Sequence, residues 1–248
     1  MKYEFKNIKS LEINVCEGNN IQETEEHNKE TEETKKYRLD KTDTKTINGR
    51  TLYRIIYLKD FSIINKGNKG GYIEKEANLS QEGNACVYGN ACVFSNARVS
   101  GDAFVCGNAH ISGTACIYGD ANISDDARIS GNAFISGDAC VFGDTYISGD
   151  AHISGNACVS GNANISGDAH ISGNAIVYGD DIVYGDARIS GDACVSGNAN
   201  ISGNAIVSGR INLKVNIDYE LTPRITIDTE EKAKKLKEFL KTLEGDEE

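Results

Sequence analysis

Gly149-Asp150-Ala151-His152-Ile153-Ser154-Gly155-Asn156-Ala157-Cys158-Val159-Ser160-Gly161-Asn162-Ala163-Asn164-Ile165-Ser166 is three copies of one six-residue unit, Gly-Asn/Asp-Ala-x-Ile/Val-Ser. The unit recurs 22 times from Gly83 to Lys214 without an insertion. In an extended segment successive side chains face opposite sides, so Ala and Ile/Val of each unit point inward while the residue between them and the Ser point out. The next two residues turn: Gly tolerates a positive φ, and Asn or Asp bonds its own backbone, so the pair makes a corner. A strict short period with one aliphatic position marks a solenoid with flat parallel β faces. Three units close an 18-residue triangular coil, which sets equivalent residues 18 apart and about 4.8 Å along the axis.

Nineteen of the 22 units carry the inward Ala; Thr145, Asp181 and Ile211 replace it. Outside the repeat the chain reads as end pieces. Residues 1–36 are expected to be an acidic, partly mobile or solvated segment, and 37–82 to hold a capping hairpin, with Asn48-Gly49 as its turn, and an entry segment. Residues 83–214 are the solenoid. Residues 215–248 hold short strands and a capping helix, with Asp228 and Glu231 as a capping box and Ala233, Leu236, Phe239, Leu240 and Leu243 on one face. The caps cover strand edges that otherwise pair with other chains.

The pattern Ile/Val-x-x-x-Ala-x resembles the hexapeptide-repeat, left-handed parallel β-helix family, which includes trimeric acyltransferases and gamma-class carbonic anhydrases. Over residues 36–208 the likeness is closer. The run Gly49-Arg50-Thr51-Leu52-Tyr53-Arg54-Ile55, then Leu58-Lys59-Asp60-Phe61, Gly70-Gly71-Tyr72-Ile73-Glu74 and Asn78-Leu79-Ser80-Gln81-Glu82-Gly83-Asn84-Ala85, is similar to bacterial and prophage repeat proteins labelled acyltransferases. The resemblance implies an all-β, left-handed parallel β-helix, a parallel homotrimer, and, for an enzyme, a histidine base with acyl-CoA as co-substrate. The left hand comes from the resemblance alone, because parallel crossovers are generally right-handed.

Composition narrows the function classes. The 248-residue chain has a formal net charge of −11, and residues 83–208 hold 12 Asp, no Glu and three Arg, so direct nucleic-acid binding is not expected. No 18-residue apolar run and no hydrophobic leader core occurs, so a cytoplasmic protein without a membrane span is expected. The eight Cys form no CxxC or CxxH pair and read as reduced, small, semi-apolar side chains.

Folding the repeat onto three faces distributes the candidates. The first face projects Cys86/Tyr88, Phe104/Cys106, Asn122/Ser124, Cys140/Phe142, Cys158/Ser160, Ile176/Tyr178 and Cys194/Ser196, and is the most apolar. Tyr88, Phe104, Cys140, Phe142, Cys158, Ile176 and Tyr178 are therefore the expected oligomer interface. On the third face His152 and His170 stack one coil apart, with Arg188 beyond; each follows a corner carboxylate, Asp150, Asp168 or Asp186, that is expected to pair with it. On the remaining face Thr145 and Asp181 share one inward column, and Asp181 is expected either to turn and cap the corner at Gly179-Asp180, the favoured reading, or to belong to a site.

Catalysis has few candidates. His110, His152 and His170 are the general bases available to an acyltransferase. No two histidines lie closer than 18 residues, so no metal site is expected. The columns Asp102/Asp120/Asp138 and Asp150/Asp168/Asp186 form acidic edges, which open a third reading in which the rod imitates a phosphate backbone and occupies a basic protein partner. The leading expectation is a rigid, non-catalytic, self-associating binding or structural module without a cofactor.

Overall fold

A computed structural model describes residues 34–210, 212–215, 220–221, 226–227, 231–232 and 234–235. Three sheets form the faces of a parallel β-solenoid of triangular section. The first-face sheet has eight strands and the third-face sheet eight, while the second-face sheet has eleven because it takes in the N-terminal strands. The register is the 18-residue one throughout: Cys140 lies beside Cys158, Tyr146 beside Asn164, and His152 beside His170. With about eight coils, every interior strand is paired on both sides.

The inward columns make one continuous core. Ile111, Ile129, Ile147 and Ile165 are buried, and so are Ala109, Ala127 and Ala163 at the positions beside the corners. The small side chain lets the chain turn within a narrow section. Each buried Ile adds about 1.5–3 kcal/mol, and the same contact recurs in every coil.

Corners stack backbone on backbone. Gly149 has φ +68°, and a Cβ there would lie 2.8 Å from both N and O of Gly167. Positive φ and this close approach together demand glycine. Where Asp125 takes the glycine place it holds φ +59°, and its carboxylate accepts the Gly143 amide at 3.1 Å. Corner side chains run as ladders: Asn108 donates to Asp126 at 3.0 Å, Asn132 to Asp150 at 2.7 Å, Asn156 to Asn174 at 3.0 Å and Asn174 to Asp192 at 2.9 Å.

The N-terminal end is built differently. β1 (Tyr37–Ile47) and β2 (Arg50–Tyr57) form an antiparallel hairpin, and β3 (Lys69–Ile73) joins β2 to the strand Cys92–Val93. The first coil presents carbonyls to this cap, and the cap supplies donors. Lys36 Nζ donates to Ala85 O at 2.9 Å and Gly83 O at 3.3 Å, and Arg54 to Gly89 O at 2.9 Å. Tyr72 and Glu74 amides reach Ala91 O at 2.8 Å and Val93 O at 3.1 Å. Asn78 Nδ2 reaches Ala97 O at 2.8 Å. The Tyr57 hydroxyl accepts the Val87 amide at 2.9 Å and donates to the Val87 carbonyl at 2.8 Å. Among the described residues β1 is a sheet edge, with a register shift between Asp40 and Thr44 and Arg38, Lys41 and Lys45 along it, features that oppose further pairing.

The hairpin also corrects part of the outward assignment. Cys92 and Phe94 occupy outward positions of the first coil but are buried with Leu52 and Tyr72 in a second small core. Cys86, outward on the first face, is buried as well. Alternation alone sets these residues in solvent; the covering hairpin removes them. Seven cysteines fall among the described residues and all are free. Of the C-terminal helix expected over 228–243, only Glu231, Lys232, Lys234 and Lys235 are described and helical, with Lys235 bonded to Glu231 at 2.8 Å; the rest, like residues 1–33, lies outside the described residues.

Candidate functional site

The first face keeps its apolar character in three dimensions, with gaps. Tyr88, Phe142, Ile176 and Tyr178 are exposed, Cys140 and Cys158 half-buried, and Phe104 packs partly against the core. Asn122 and Ser124 interrupt the strip between Phe104 and Cys140. Burial raises the Cys158 thiol above its ordinary range, with Cys140 adding to the shift, and pushes Cys86 up to about 12. These thiols therefore act as small hydrophobes at neutral pH.

On the third face the histidine pair belongs to a longer stack. His152 and His170 lie 4.9 Å apart with planes 14° from parallel. Phe134 sits 5.2 Å from His152, and Tyr118 4.9 Å from Phe134. The parallel register dictates this column, because every 18th residue projects at the same place. Its aromatic extension was readable in the sequence from Tyr118 and Phe134, but on alternate outward positions, which hid it. Burial lowers the His170 pKa, and His152 and Arg188 lower it further against the pull of Asp168 and Asp186. The neutral ring is thereby favoured. Asp168, His170, Asp186, Arg188, Asn204 and Ile206 line an open groove of about 480 Å³.

The expected self-pairing of this face is not found: among the described residues, none of Asp150, Asp168 and Asp186 forms an ion pair with His152, His170 or Arg188. His110 stands apart on the second face between Cys92 and Arg128, half-buried, its pKa lowered by burial and by Lys45 and Arg128. The structure thus brings His152 and His170 together and leaves His110 alone. Among the described residues no group of three or more His, Cys, Asp or Glu is placed to hold a metal ion.

The acidic edges follow from ladder chemistry. An Asn donates to the next coil and an Asp only accepts, so a run of Asp interrupts the ladder. Asp150 receives the Asn132 amide at 2.7 Å, but no side-chain bond links Asp150, Asp168 and Asp186 to one another. Asp102, Asp120 and Asp138 are likewise unlinked, and Asp102 instead accepts the Asn84 backbone amide at 3.0 Å. These carboxylates repel along their columns.

Thr145 and Asp181 solve one problem in two ways. Both are fully buried in the column of Ala. The Thr145 hydroxyl donates to Phe142 O at 2.7 Å, within its own corner. Asp181 stays inside: its Oδ1 accepts the Ala199 amide, one coil on, at 2.8 Å, and the Tyr178 backbone in its own corner also favours the charged carboxylate. Its Oδ2 has no hydrogen-bond partner. Burial pushes its pKa up to about 6, the Ala199 amide and the Tyr178 backbone opposing and Asp180 reinforcing the shift. The neighbouring corners open to suit, with Gly179 at φ +108° and Gly197 at +101°.

Residues 169–185, a stretch that holds both His170 and Asp181, match the family model described as the YdcK Beta solenoid repeat. The comparison with curated proteins gives no match. With its three parallel sheets, the chain is a β-solenoid repeat protein, similar in this stretch to the YdcK repeat.

Proposed function

We propose that the protein is a rigid, non-catalytic β-helical module, wound left-handed as the resemblance implies, that self-associates through its first face into a parallel trimer. The observation that carries this reading is the alignment of Tyr88, Phe142, Ile176 and Tyr178, each 41 to 46% exposed apart from Phe142 at 39%, on one flat face. Scattered exposed apolar residues are ordinary, whereas an aligned set on a flat sheet supports an interface. A specific interface needs about 1,200–2,000 Å² of total buried surface, which a face several coils long supplies.

The test is sedimentation of the wild type beside the Phe104→Ser, Phe142→Ser, Ile176→Ser triple variant, with and without acyl-CoA. A trimer that dissociates in the variant supports the first-face interface. A folded monomer in both samples overturns it. Binding of acyl-CoA that is lost in His152→Ala or His170→Ala replaces it with acyl transfer at the third-face groove.

A second reading has its own observation. The unladdered columns Asp102/Asp120/Asp138 and Asp150/Asp168/Asp186 hold repelling carboxylates about 4.8 Å apart, an arrangement that favours a cationic protein partner in the manner of a phosphate backbone. Capture of a nucleic-acid-binding protein by wild type at low salt, lost in Asp168→Asn/Asp186→Asn, is the expected result.

A further inference from the structure

The described residues expose eight large hydrophobic side chains, and five of them, Phe142, Tyr146, Ile176, Tyr178 and Ile182, fall on two coils. These are the coils in which Thr145 and Asp181 replace the inward Ala. Phe142 and Tyr146 flank one corner between the first and second faces, and Tyr178 and Ile182 flank the corresponding corner two coils on, about 10 Å away at strand spacing. The coil between them has Ser160 buried and exposed Asn162 and Asn164 in the matching places, so two apolar ridges flank a polar row, lowest at Ser160, that forms the floor of a notch. Asp144 and Asp180 stand on the corners of the ridges, and Asn162 donates to Asp180 at 2.8 Å.

The cap carries an exposed apolar tip in basic surroundings. Ile63 is 70% exposed, the most exposed large hydrophobic side chain described. It stands at the tip of a two-residue turn closed by reciprocal backbone bonds between Phe61 and Ile64, 3.0 and 2.8 Å. Ser62 takes φ +46°, a costly conformation for a residue other than glycine. Ile64 is buried and Phe61 packs against Tyr57, ring centroids 5.3 Å apart, so the turn is anchored from beneath. The Lys66 amide is held by Asp60 at 2.6 Å, and its side chain is exposed beside the turn. Residues 35–75 as a whole hold eleven Lys and Arg against four Asp and Glu.

We propose that a second copy of this chain occupies the notch, with its Ile63 turn seated between the Phe142/Tyr146 and Tyr178/Ile182 ridges. Like-with-like pairing of the notch is disfavoured, because it sets Asp144 and Asp180 against their own copies, whereas the Ile63 turn brings an apolar tip beside a lysine. The contact is heterologous, so it extends into a ring or an open chain instead of closing as a dimer. It buries Phe142 and Tyr178, which the first-face strip also uses, so in any one copy it competes with that contact, and the two are told apart by residues unique to each: Ile63 and Ile182 here, Phe104 there.

The test is sedimentation velocity of the full chain over a wide concentration range at low and high salt. Wild type is expected to grow in mass with concentration and to shrink at high salt. Ile63→Ser and Ile182→Ser, both at exposed positions that leave the core untouched, are each expected to weaken association at least tenfold. Asp180→Lys is expected to weaken it, and addition of Lys66→Glu in the same chain to restore it. Wild-type association unchanged by Ile63→Ser overturns the proposal, as does a wild type monomeric at every concentration. An assembly broken by Phe104→Ser but indifferent to Ile63→Ser overturns it while leaving the first-face reading intact.

Discussion

The coil from Gly83 to Ser100 and the coil from Gly149 to Ser166 follow the same hexad pattern and are held by different means. In the later coil nearly every polar backbone group meets the backbone of the neighbouring coil, as when the His152 amide donates to Ala169 O, 17 residues on, at 2.8 Å. No single side chain is needed for that bond, only the right shape in each column. In the first coil no preceding coil exists, and beside the backbone amides of Tyr72 and Glu74 the side chains of Lys36, Arg54, Tyr57 and Asn78 supply donors one by one. Stability is therefore spread thinly along the rod and concentrated in a few residues at the cap. The same need for donors accounts for part of the cap's basic composition.

The sharpest test of this contrast is Tyr57→Ala. It removes a buried aromatic side chain and both bonds to Val87, and we expect a loss of about 3–5 kcal/mol in urea unfolding, with aggregation through the uncovered first coil visible in light scattering. A loss below about 1 kcal/mol would show that the cap is held no differently from the rod.

Inside the rod, Asp181 is the largest departure from the repeat. Its folded pKa of about 6 lies above the ordinary 3.8. Across that window the folded chain holds a proton that the unfolded chain has released, so stability falls as pH rises toward 6 and then levels off. Asp181→Ala restores the repeat and is expected to gain on the order of 3 kcal/mol at pH 7 while flattening the dependence. Thermal unfolding of both proteins from pH 4 to 8 checks it; parallel curves would refute the buried, neutral-favoured carboxyl.

Gly149→Ala probes the stacked corners. With φ +68° and a 2.8 Å approach to Gly167, we expect a loss of about 2 kcal/mol. The change should be local, so hydrogen exchange ought to rise in neighbouring coils and stay unchanged beneath the hairpin. Uniform acceleration along the chain would mean that the rod unfolds as one unit with the cap.

The smallest expected effect belongs to the corner ladder. Asn132→Asp loses the donation to Asp150 and adds a fourth carboxylate to that column, at a cost of about 1 kcal/mol or less. High salt should recover most of it; a salt-independent loss would assign the ladder's contribution to backbone geometry.

The period itself was legible because each coil repeats the same physical demand: an aliphatic side chain inside, a small one beside the corner, and glycine where the chain turns back. Columns such as His152/His170 could be placed from spacing alone, since parallel register leaves no freedom once the coil length is known. The fate of Asp181 was not legible. Whether a buried carboxylate turns to its own corner or bridges to Ala199 depends on how far the corners at Gly179 and Gly197 open, a matter of packing between coils.

By itself, the sequence determined the 18-residue triangular coil, the three faces and the inward core, because short-range alternation and turn chemistry act on every unit alike. The tertiary structure alone decided that Cys86, Cys92 and Phe94 are covered, that the charged pairs of the third face do not close, and that Ile63 is held out in solvent. Each of these depends on segments far apart in the chain meeting in space, which no local pattern encodes.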